Sequence, residues 1–201
     1  MAVIGVQHAV ASPITKYNDG AMPTYGEGFI VSRLTKIDDS LEYNDTSAYS
    51  DNSIEETDKS FSKGSLTFGT YGLGKTIQER YEVRAKLFGE TVTEENELIT
   101  GAKDISQHLG YGYIKTERSS NVDYYIARWY YDIQFAPPSE SIETRGESIS
   151  FQTQDIQGTV YKIDNWGNDN IKKEKLFNTY KEAETWLDTI ANLVNSTGSS
   201  S

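Results

Sequence analysis

The chain has 201 residues and no cysteine, and its 30 Asp and Glu against 19 Lys and Arg give a formal net charge of -11. The lack of cysteine excludes a disulfide framework and a cysteine-based zinc site. The excess of acidic over basic residues argues against a protein that binds DNA through its phosphates. No apolar run is long enough for a transmembrane helix, and the N-terminus lacks the basic and apolar regions of a signal peptide.

The length suits one domain, which we place at residues 1–194, followed by a flexible tail at 195–201 that is rich in Ser. Aromatic residues, with 14 Tyr, 7 Phe and 3 Trp, take part of the role that Leu and Ile usually fill. Because Tyr and Thr favour strands and Ala and Leu are few, the composition predicts a mainly β fold.

Residues 1–25 have no regular apolar period and contain Pro13, Gly20 and Pro23. We predict an N-terminal arm, either loosely packed or docked on a neighbouring subunit. Residues 27–36 then have the composition of a strand.

Residues 37–59 are predicted to form a long acidic loop. Eight Asp and Glu lie between residues 37 and 58, and no Lys or Arg interrupts them. Loops of this length are usually functional or mobile, so the segment is either solvated or ordered against another chain. Aromatic residues are enriched at protein contacts, which makes this loop a candidate for contacts between subunits. The candidate contact residues are Leu41, Tyr43, Tyr49, Asp51, Asn52 and Ile54.

Two helices are predicted. Residues 75–88 fit both a helical and an alternating pattern, and we favour a helix because Gly89 stands where a C-cap glycine belongs. Its predicted apolar stripe is Ile77, Tyr81, Ala85 and Phe88. The second helix begins at a capping box formed by Thr179 and Glu182. Its apolar stripe is Tyr180, Ala183, Trp186, Leu187, Ile190 and Val194.

The clearest strand covers residues 124–135. Its odd positions are all apolar or aromatic and its even positions are mixed, so a period of two predicts one buried and one wetter face. The predicted core residues are Tyr125, Ala127, Trp129, Tyr131, Ile133 and Phe135. Further strands are predicted at 110–116 and 147–163, the second broken near Gln157 and Gly158 by a turn or a bulge.

One segment, Gly69–Thr76, matches the phosphate-binding pattern G-x-x-x-x-G-K-[ST]. The strand before such a loop is normally buried on both faces, whereas residues 60–68 are half polar. The pattern therefore also fits a glycine-rich turn between a strand and a helix. Neither His8 nor His108 stands in a catalytic motif, and we predict no enzyme activity, metal site or cofactor.

Eight different short motifs stand in a characteristic order along the chain. They lie at residues 1–6, 48–52, 109–114, 127–135, 138–140, 144–153, 158–160 and 182–188. The strongest are Ala-Arg-Trp-Tyr-Tyr-Asp-Ile-Gln-Phe at 127–135 and Thr-Arg-Gly-Glu-Ser-Ile-Ser-Phe-Gln-Thr at 144–153. In this order the chain resembles the major tail (tail tube) proteins of long-tailed, non-contractile bacteriophages of Gram-positive hosts.

The resemblance implies a β-sandwich or partly open β-barrel with one or two flanking helices. It implies a subunit that assembles with copies of itself into stacked hexameric rings, the tail tube of the virion, through which double-stranded DNA passes without specific binding. Tape measure, distal tail and tail terminator proteins are the other partners implied, and no membrane is involved. The residues leave two alternatives open, a nucleotide-binding protein that uses Gly69–Thr76 and a carbohydrate-binding β-sandwich module.

Overall fold

The computed structural model describes residues 2–44, 46–50, 53–58, 60–139 and 153–193, and for 46–50 and 53–58 only the backbone. The described part is mainly β, as the composition predicts. Its strands are β1 Ala2–Lys16, β2 Thr24–Tyr25, β3 Phe29–Tyr43, β4 Thr46–Ser50, β5 Ser53–Asp58, β6 Phe61–Leu73, β7 Thr91–Val92, β8 Leu98–Ile99, β9 Leu109–Ser119, β10 Val122–Phe135, β11 Gln154–Tyr161 and β12 Lys172–Phe177. Its helices are α1 Ile77–Phe88 and α2 Tyr180–Ile190.

Six antiparallel strands form a closed barrel in the order β11-β6-β3-β1-β9-β10. Residues 132–135 of β10 pair with residues 158–161 of β11 and close it. The barrel is therefore closed rather than partly open. Its interior holds an aromatic cluster in which the Phe68 ring stacks on Tyr111 at 5.7 Å and meets Phe135 edge-on at 5.3 Å. Val83, Leu87 and Phe88 of α1 belong to the same cluster.

The predicted N-terminal arm is wrong for residues 2–16, which form β1 in the centre of the sheet. Ala9, Val10 and Ala11 are fully buried between β3 and β9. The apolar period was hidden because register shifts interrupt β1 on both sides, between Ala9 and Val10 towards β3 and between Gln7 and Val10 towards β9. A bulge of this kind breaks the alternation on which strand prediction depends.

The predicted acidic loop at 37–59 is also wrong in its secondary structure. Residues 37–43 continue β3 and pair with β6, and β4 then pairs with β5 beyond them. Asn44 N–H donates to Ser60 O at 2.8 Å and bridges the two ladders. The segment is therefore a long projecting hairpin.

Both helices are confirmed, but of the stripe predicted for α1 only Phe88 is buried. Ile77 is 80% exposed, whereas Val83 and Leu87 are buried. Thr76 caps its start, and Gly89 ends it with φ 75, the left-handed conformation that glycine adopts without strain. In α2 the predicted stripe is confirmed as far as Ile190, and Val194 lies outside the described residues.

The strand predicted at 124–135 is confirmed as part of β10. The prediction that only one of its faces is buried is wrong. Trp129 and Tyr131 pack under α2, whereas Ile133 and Phe135 point into the barrel. A register shift against β9 between Tyr130 and Ile133 reverses the alternation. The even positions are buried too, including Tyr130 at 0% exposure.

The predicted break at Gln157 and Gly158 is absent, because both lie in continuous pairing between β11 and β6. Position 158 requires glycine because there is no room for a larger side chain. A Cβ at Gly158 would stand 2.7 Å from Cδ1 of Phe135.

Candidate functional site

Part of the sheet extends beyond the barrel and exposes two free strand edges. Here residues 2–7 of β1 pair with β9, β9 with β10, and β10 with β12. We call this four-stranded part the extension sheet. Within the described residues, the other edge of segment 2–7 has no strand partner, and neither has the outer edge of β12.

The free edge of β1 arises where this strand leaves β3. Pairing with β3 covers only Ala9–Ala11, and His8 just before it has φ 59, in the left-handed region. The bend is fixed by α2, because Asp188 Oδ1 lies 2.7 Å from Nε2 of His8 and Glu184 Oε1 lies 3.8 Å from its Nδ1. The backbone ahead of His8 therefore diverges from the barrel with one edge unpaired.

The two free edges run in opposite directions. Each neighbouring pair in the order β1-β9-β10-β12 is antiparallel, so β1 and β12 are antiparallel to one another across the sheet. If a second copy is placed beside the first by rotation, its β1 meets β12 in the antiparallel orientation. Such a contact joins two different surfaces and can repeat around a closed ring.

The two faces of the extension sheet differ. α2 covers one face, where Trp129, Ala183 and Leu187 are fully buried. On the other face, cross-strand pairing aligns one residue from each strand in a single row. This row is Val6, Lys115, Ile126 and Leu176. Leu176 is 60% exposed and Val3, nearby on β1, is 58% exposed. The uncovered face is therefore partly apolar.

The projecting hairpin carries the residues that the sequence predicted for contacts between subunits. Tyr43 is 57% exposed, and its ring lies edge-on to Phe61 at 6.0 Å. Leu41 is instead partly buried against the barrel interior. Tyr49 and Ile54 are paired across β4 and β5 by their backbones, and Asp51 and Asn52 lie outside the described residues.

One acidic residue of this segment is used inside the subunit. Asp39 Oδ2 accepts hydrogen bonds from Arg128 Nη1 at 3.0 Å, Tyr130 OH at 2.7 Å and Lys172 Nζ at 2.9 Å. Burial alone would raise the pKa of the Asp39 carboxyl, but the bonds from Lys172 and Tyr130 and the charge of Arg128 outweigh it, so this pKa is lowered. Asp39 thus ties the base of the hairpin to β10 and β12.

A shallow groove of about 520 Å³ lies between β12 and α2. Its residues include Lys173, Lys181, Glu182, Trp186, Thr189 and Ile190. Sequence reasoning missed this groove. The available signal was the group of four lysines at positions 172, 173, 175 and 181, the densest in an acidic chain.

The Gly69–Thr76 segment does not form a phosphate cradle. Its first five residues lie in β6, inside the antiparallel barrel. Gly72 N–H donates to Thr70 Oγ1 and Gly74 N–H to Val31 O, so these amides are already bonded. Thr76 Oγ1 accepts from Glu79 N–H and caps α1. The residues that match the pattern form the end of β6 and the N-terminal cap of α1.

His108 has a structural partner that the sequence did not reveal. Its Nδ1 lies 2.7 Å from Oδ1 of the buried Asp132, whose Oδ2 accepts from Tyr17 OH at 2.7 Å. Among the residues with described side chains, no group of three or more His, Asp or Glu is arranged to hold a metal ion. In the same part of the chain, no helix is long and apolar enough to cross a membrane.

Comparison of the chain with models of protein families gives no match, and comparison with curated proteins gives none either.

Proposed function

We propose that the protein is a structural subunit that assembles with copies of itself into rings, and that the rings stack into a phage tail tube, a conduit for double-stranded DNA. The observation that carries the proposal is the pair of free edges on the extension sheet. Exposed edges are an aggregation hazard in a monomer, and proteins normally cover or shorten them. Two long edges of opposite direction are useful when each pairs with a neighbour.

The position of the edges favours a closed assembly over a simple dimer. The β1 edge and the β12 edge are different surfaces, so the contact is head-to-tail and leaves one free edge of each kind at the ends of any open row. When the row closes into a ring, the free β1 edge at one end pairs with the free β12 edge at the other. Antiparallel pairing between copies would also continue the partly exposed row of Val6, Ile126 and Leu176 from subunit to subunit.

The charges are compatible with a passage for DNA. The net charge of -11 gives long-range repulsion with phosphate, which disfavours adhesion. On the uncovered face of the extension sheet, Lys115 lies 2.8 Å from Glu117 and Arg128 lies 3.0 Å from Glu174. These cations are neutralised by their neighbours and offer no basic track to a nucleic acid.

Negative-stain microscopy of concentrated protein tests the proposal directly, and we expect rings or tubes. The matched variants are Ile4→Pro and Ile4→Thr. Ile4 has no partner residue in the register with β9, which shifts between Val3 and Gly5, so we expect a proline there to disturb the β9 pairing less than at the neighbouring paired positions. Proline should block pairing at the outer edge of β1 and abolish rings, whereas threonine keeps the N–H and should retain them.

A strictly monomeric protein at every concentration, with no assembly induced by a partner, contradicts the proposal. Rings that persist in Ile4→Pro contradict the role of the β1 edge. Among the described residues, no observation favours nucleotide or carbohydrate binding over assembly.

A further inference from the structure

The α2 side of β12 carries two lysines that have no carboxylate partner in the described part of the chain. Lys173, Lys175 and Phe177 stand at alternate positions of this strand, so their side chains lie on the same side of the sheet. The Lys173 ammonium lies 5.3 Å from the Trp186 ring centroid and 5.9 Å from that of Tyr131. The Lys175 ammonium lies 5.2 Å from the ring centroid of Phe177. Both charges therefore contact aromatic rings rather than acids.

Lys173 is the more confined of the two cations. Its ammonium donates to Met22 Sδ at 3.7 Å, and a thioether is a weak acceptor. Burial lowers the pKa of Lys173, whereas an opposite charge nearby would favour its ionised form. The other charged groups of the groove have partners, because Lys181 lies 2.7 Å from Glu184 and Glu182 accepts a hydroxyl hydrogen bond at 2.8 Å. An incoming carboxylate would therefore be stabilised first by Lys173.

The groove opens at the free edge of β12. On one flank, α2 meets β1 through Glu184 and Asp188, whose carboxylates lie beside His8. Trp186 and Ile190 each stand two residues further along the helix, which is about 200° around it, so they lie on the opposite flank. The groove of about 520 Å³ that they line with Lys173 is therefore next to the outer edge of β12, which has no strand partner among the described residues.

The β1 edge of a neighbouring copy would leave these lysines without a counter-charge. Residues 2–7, Ala-Val-Ile-Gly-Val-Gln, contain no charged side chain. A strand that adds to a free edge binds through its backbone, and its alternate side chains determine the specificity. The charge on the α2 side of β12 therefore matches a strand other than β1, one with carboxylates at alternate positions.

We propose that the outer edge of β12 and the groove beside it bind an extended acidic segment of a different protein. The segment adds to the sheet as a strand antiparallel to β12. Three of its alternate side chains face Phe177, Lys175 and Lys173 in turn, so it carries an apolar residue and then two acids at every second position. A peptide backbone matches the N–H and C=O groups of a free strand edge, which a nucleic acid does not.

A labelled peptide, Thr-Phe-Thr-Glu-Thr-Glu-Thr, tests the site by fluorescence anisotropy with the full chain, and we expect saturable binding. The matched peptide Thr-Phe-Thr-Thr-Glu-Glu-Thr has the same composition but places only one carboxylate on the α2 side. It should bind about tenfold more weakly, which corresponds to about 1.4 kcal/mol. A third peptide with Gln in place of both Glu should lose at least as much affinity. These comparisons use the native chain and do not depend on the folding of a variant.

Neutral replacements of the two lysines supply the matched protein variants. Lys173→Met/Lys175→Gln keeps most of the apolar stems and removes both charges. It should weaken binding of the Glu peptide about tenfold and leave binding of the Gln peptide unchanged. Lys103→Gln, on an exposed lysine outside the groove, is the control and should bind all three peptides as the native chain does.

No saturable binding, or equal binding of the three peptides, overturns the proposal. Binding of an oligothymidylate in preference to the Glu peptide also overturns it, since the lysines would then be a surface for phosphate. Competition with ring closure rests on the proposed function, because the peptide and the β1 edge of a neighbour need the same edge of β12. Excess peptide should therefore lower the fraction of rings in microscopy, and rings that persist at saturation would overturn the assignment to this edge.

The outcomes separate the two proposals. Selective binding of the Glu peptide by a protein that never forms rings supports the acidic-strand site and contradicts the tube function. Rings from a protein that does not bind the peptide support the tube function and overturn the acidic-strand site.

Discussion

Asp39 Oδ2 lies 3.0 Å from Nη1 of Arg128, so the base of the projecting hairpin is bound to a guanidinium buried in the sheet. The two residues are 89 positions apart in sequence. Arg128 also lies 3.0 Å from Glu174 of β12 through its Nη2. One arginine therefore joins the hairpin, the barrel wall and the strand whose outer edge is free, and the hairpin should depend on Asp39 for its direction.

We predict that Asp39→Asn lowers the free energy of unfolding by about 1–3 kcal/mol, because it removes a charge-assisted acceptor from three donors. Asp38→Asn is the matched control, since the Asp38 side chain is 74% exposed and 3.8 Å from Lys36. An exposed pair of this kind contributes little, so the control should lie within about 0.5 kcal/mol of the native protein. Urea denaturation at pH 7 measures both. Equal effects of the two variants would contradict the anchoring role.

The stability that Asp39 contributes should depend on pH. The pKa of Asp39 is lowered in the folded protein from its ordinary value of 3.8. A carboxyl of this kind stabilises the fold above its unfolded pKa, and the contribution is lost as the pH falls through the folded pKa. The stability difference between native protein and Asp39→Asn should be full at pH 6 and shrink below about pH 4. A difference that is constant from pH 6 to pH 2 would exclude the ion pair as its cause.

Gly158 predicts a packing effect inside the barrel. A Cβ at this position would lie 2.7 Å from Cδ1 of Phe135 and 2.9 Å from Cδ1 of Ile133, both buried. Gly158→Ala should therefore destabilise the protein by about 1–3 kcal/mol through overpacking. Gly72→Ala is the control, because nothing lies within 4 Å of its Cβ position. Thermal unfolding of the two variants compares them, and a stable Gly158→Ala protein would show that the barrel can repack around this methyl group.

How far the sequence predicted the fold depended on whether the apolar period was continuous. α2 was predicted with its correct face, because its stripe is uninterrupted from Tyr180 to Ile190. In β10 the same reasoning assigned six residues to one face, but the bulge after Tyr130 moved Ile133 and Phe135 into the barrel. No single-residue preference marks such a shift, because it is set by pairing with β9.

The candidate site was predictable only in part, for a related reason. The acidic residues at 37–58 predict a distinct surface segment, but strand propensity is low for Asp and Glu, so the composition indicates a loop where the structure has a hairpin. The free edges were invisible, because an edge is defined by which strands fail to pair. The groove at Lys173 likewise requires β12 and α2 to meet, and β12 itself, Lys-Lys-Glu-Lys-Leu-Phe, lacks an apolar alternation.

The start of α2 gives a prediction about the element that covers the extension sheet. Thr179 Oγ1 accepts from Glu182 N–H at 3.4 Å as the N-cap. Thr179→Ala should cost about 1 kcal/mol of stability. Thr185→Ala, in the exposed middle of the helix, removes only a bond to Lys181 O and should be neutral or slightly stabilising, since Ala favours helix. Chemical denaturation followed by tryptophan fluorescence measures both, and a larger effect at Thr185 would contradict the cap.

The Gly69–Thr76 segment provides the test that best distinguishes the proposed assembly function from the nucleotide-binding alternative. Gly72 and Gly74 have their N–H groups bonded to Thr70 and to Val31, and Lys75 N–H donates to Glu79 Oε2 at 2.9 Å. Phosphate oxygens would need those donors free. We therefore expect no heat of binding in calorimetry with millimolar Mg-ATP or Mg-GTP, and the same flat trace for Lys75→Ala. Saturable heat in the native protein that Lys75→Ala abolishes would establish nucleotide binding, and it would require α1 and the end of β6 to rearrange around the ligand.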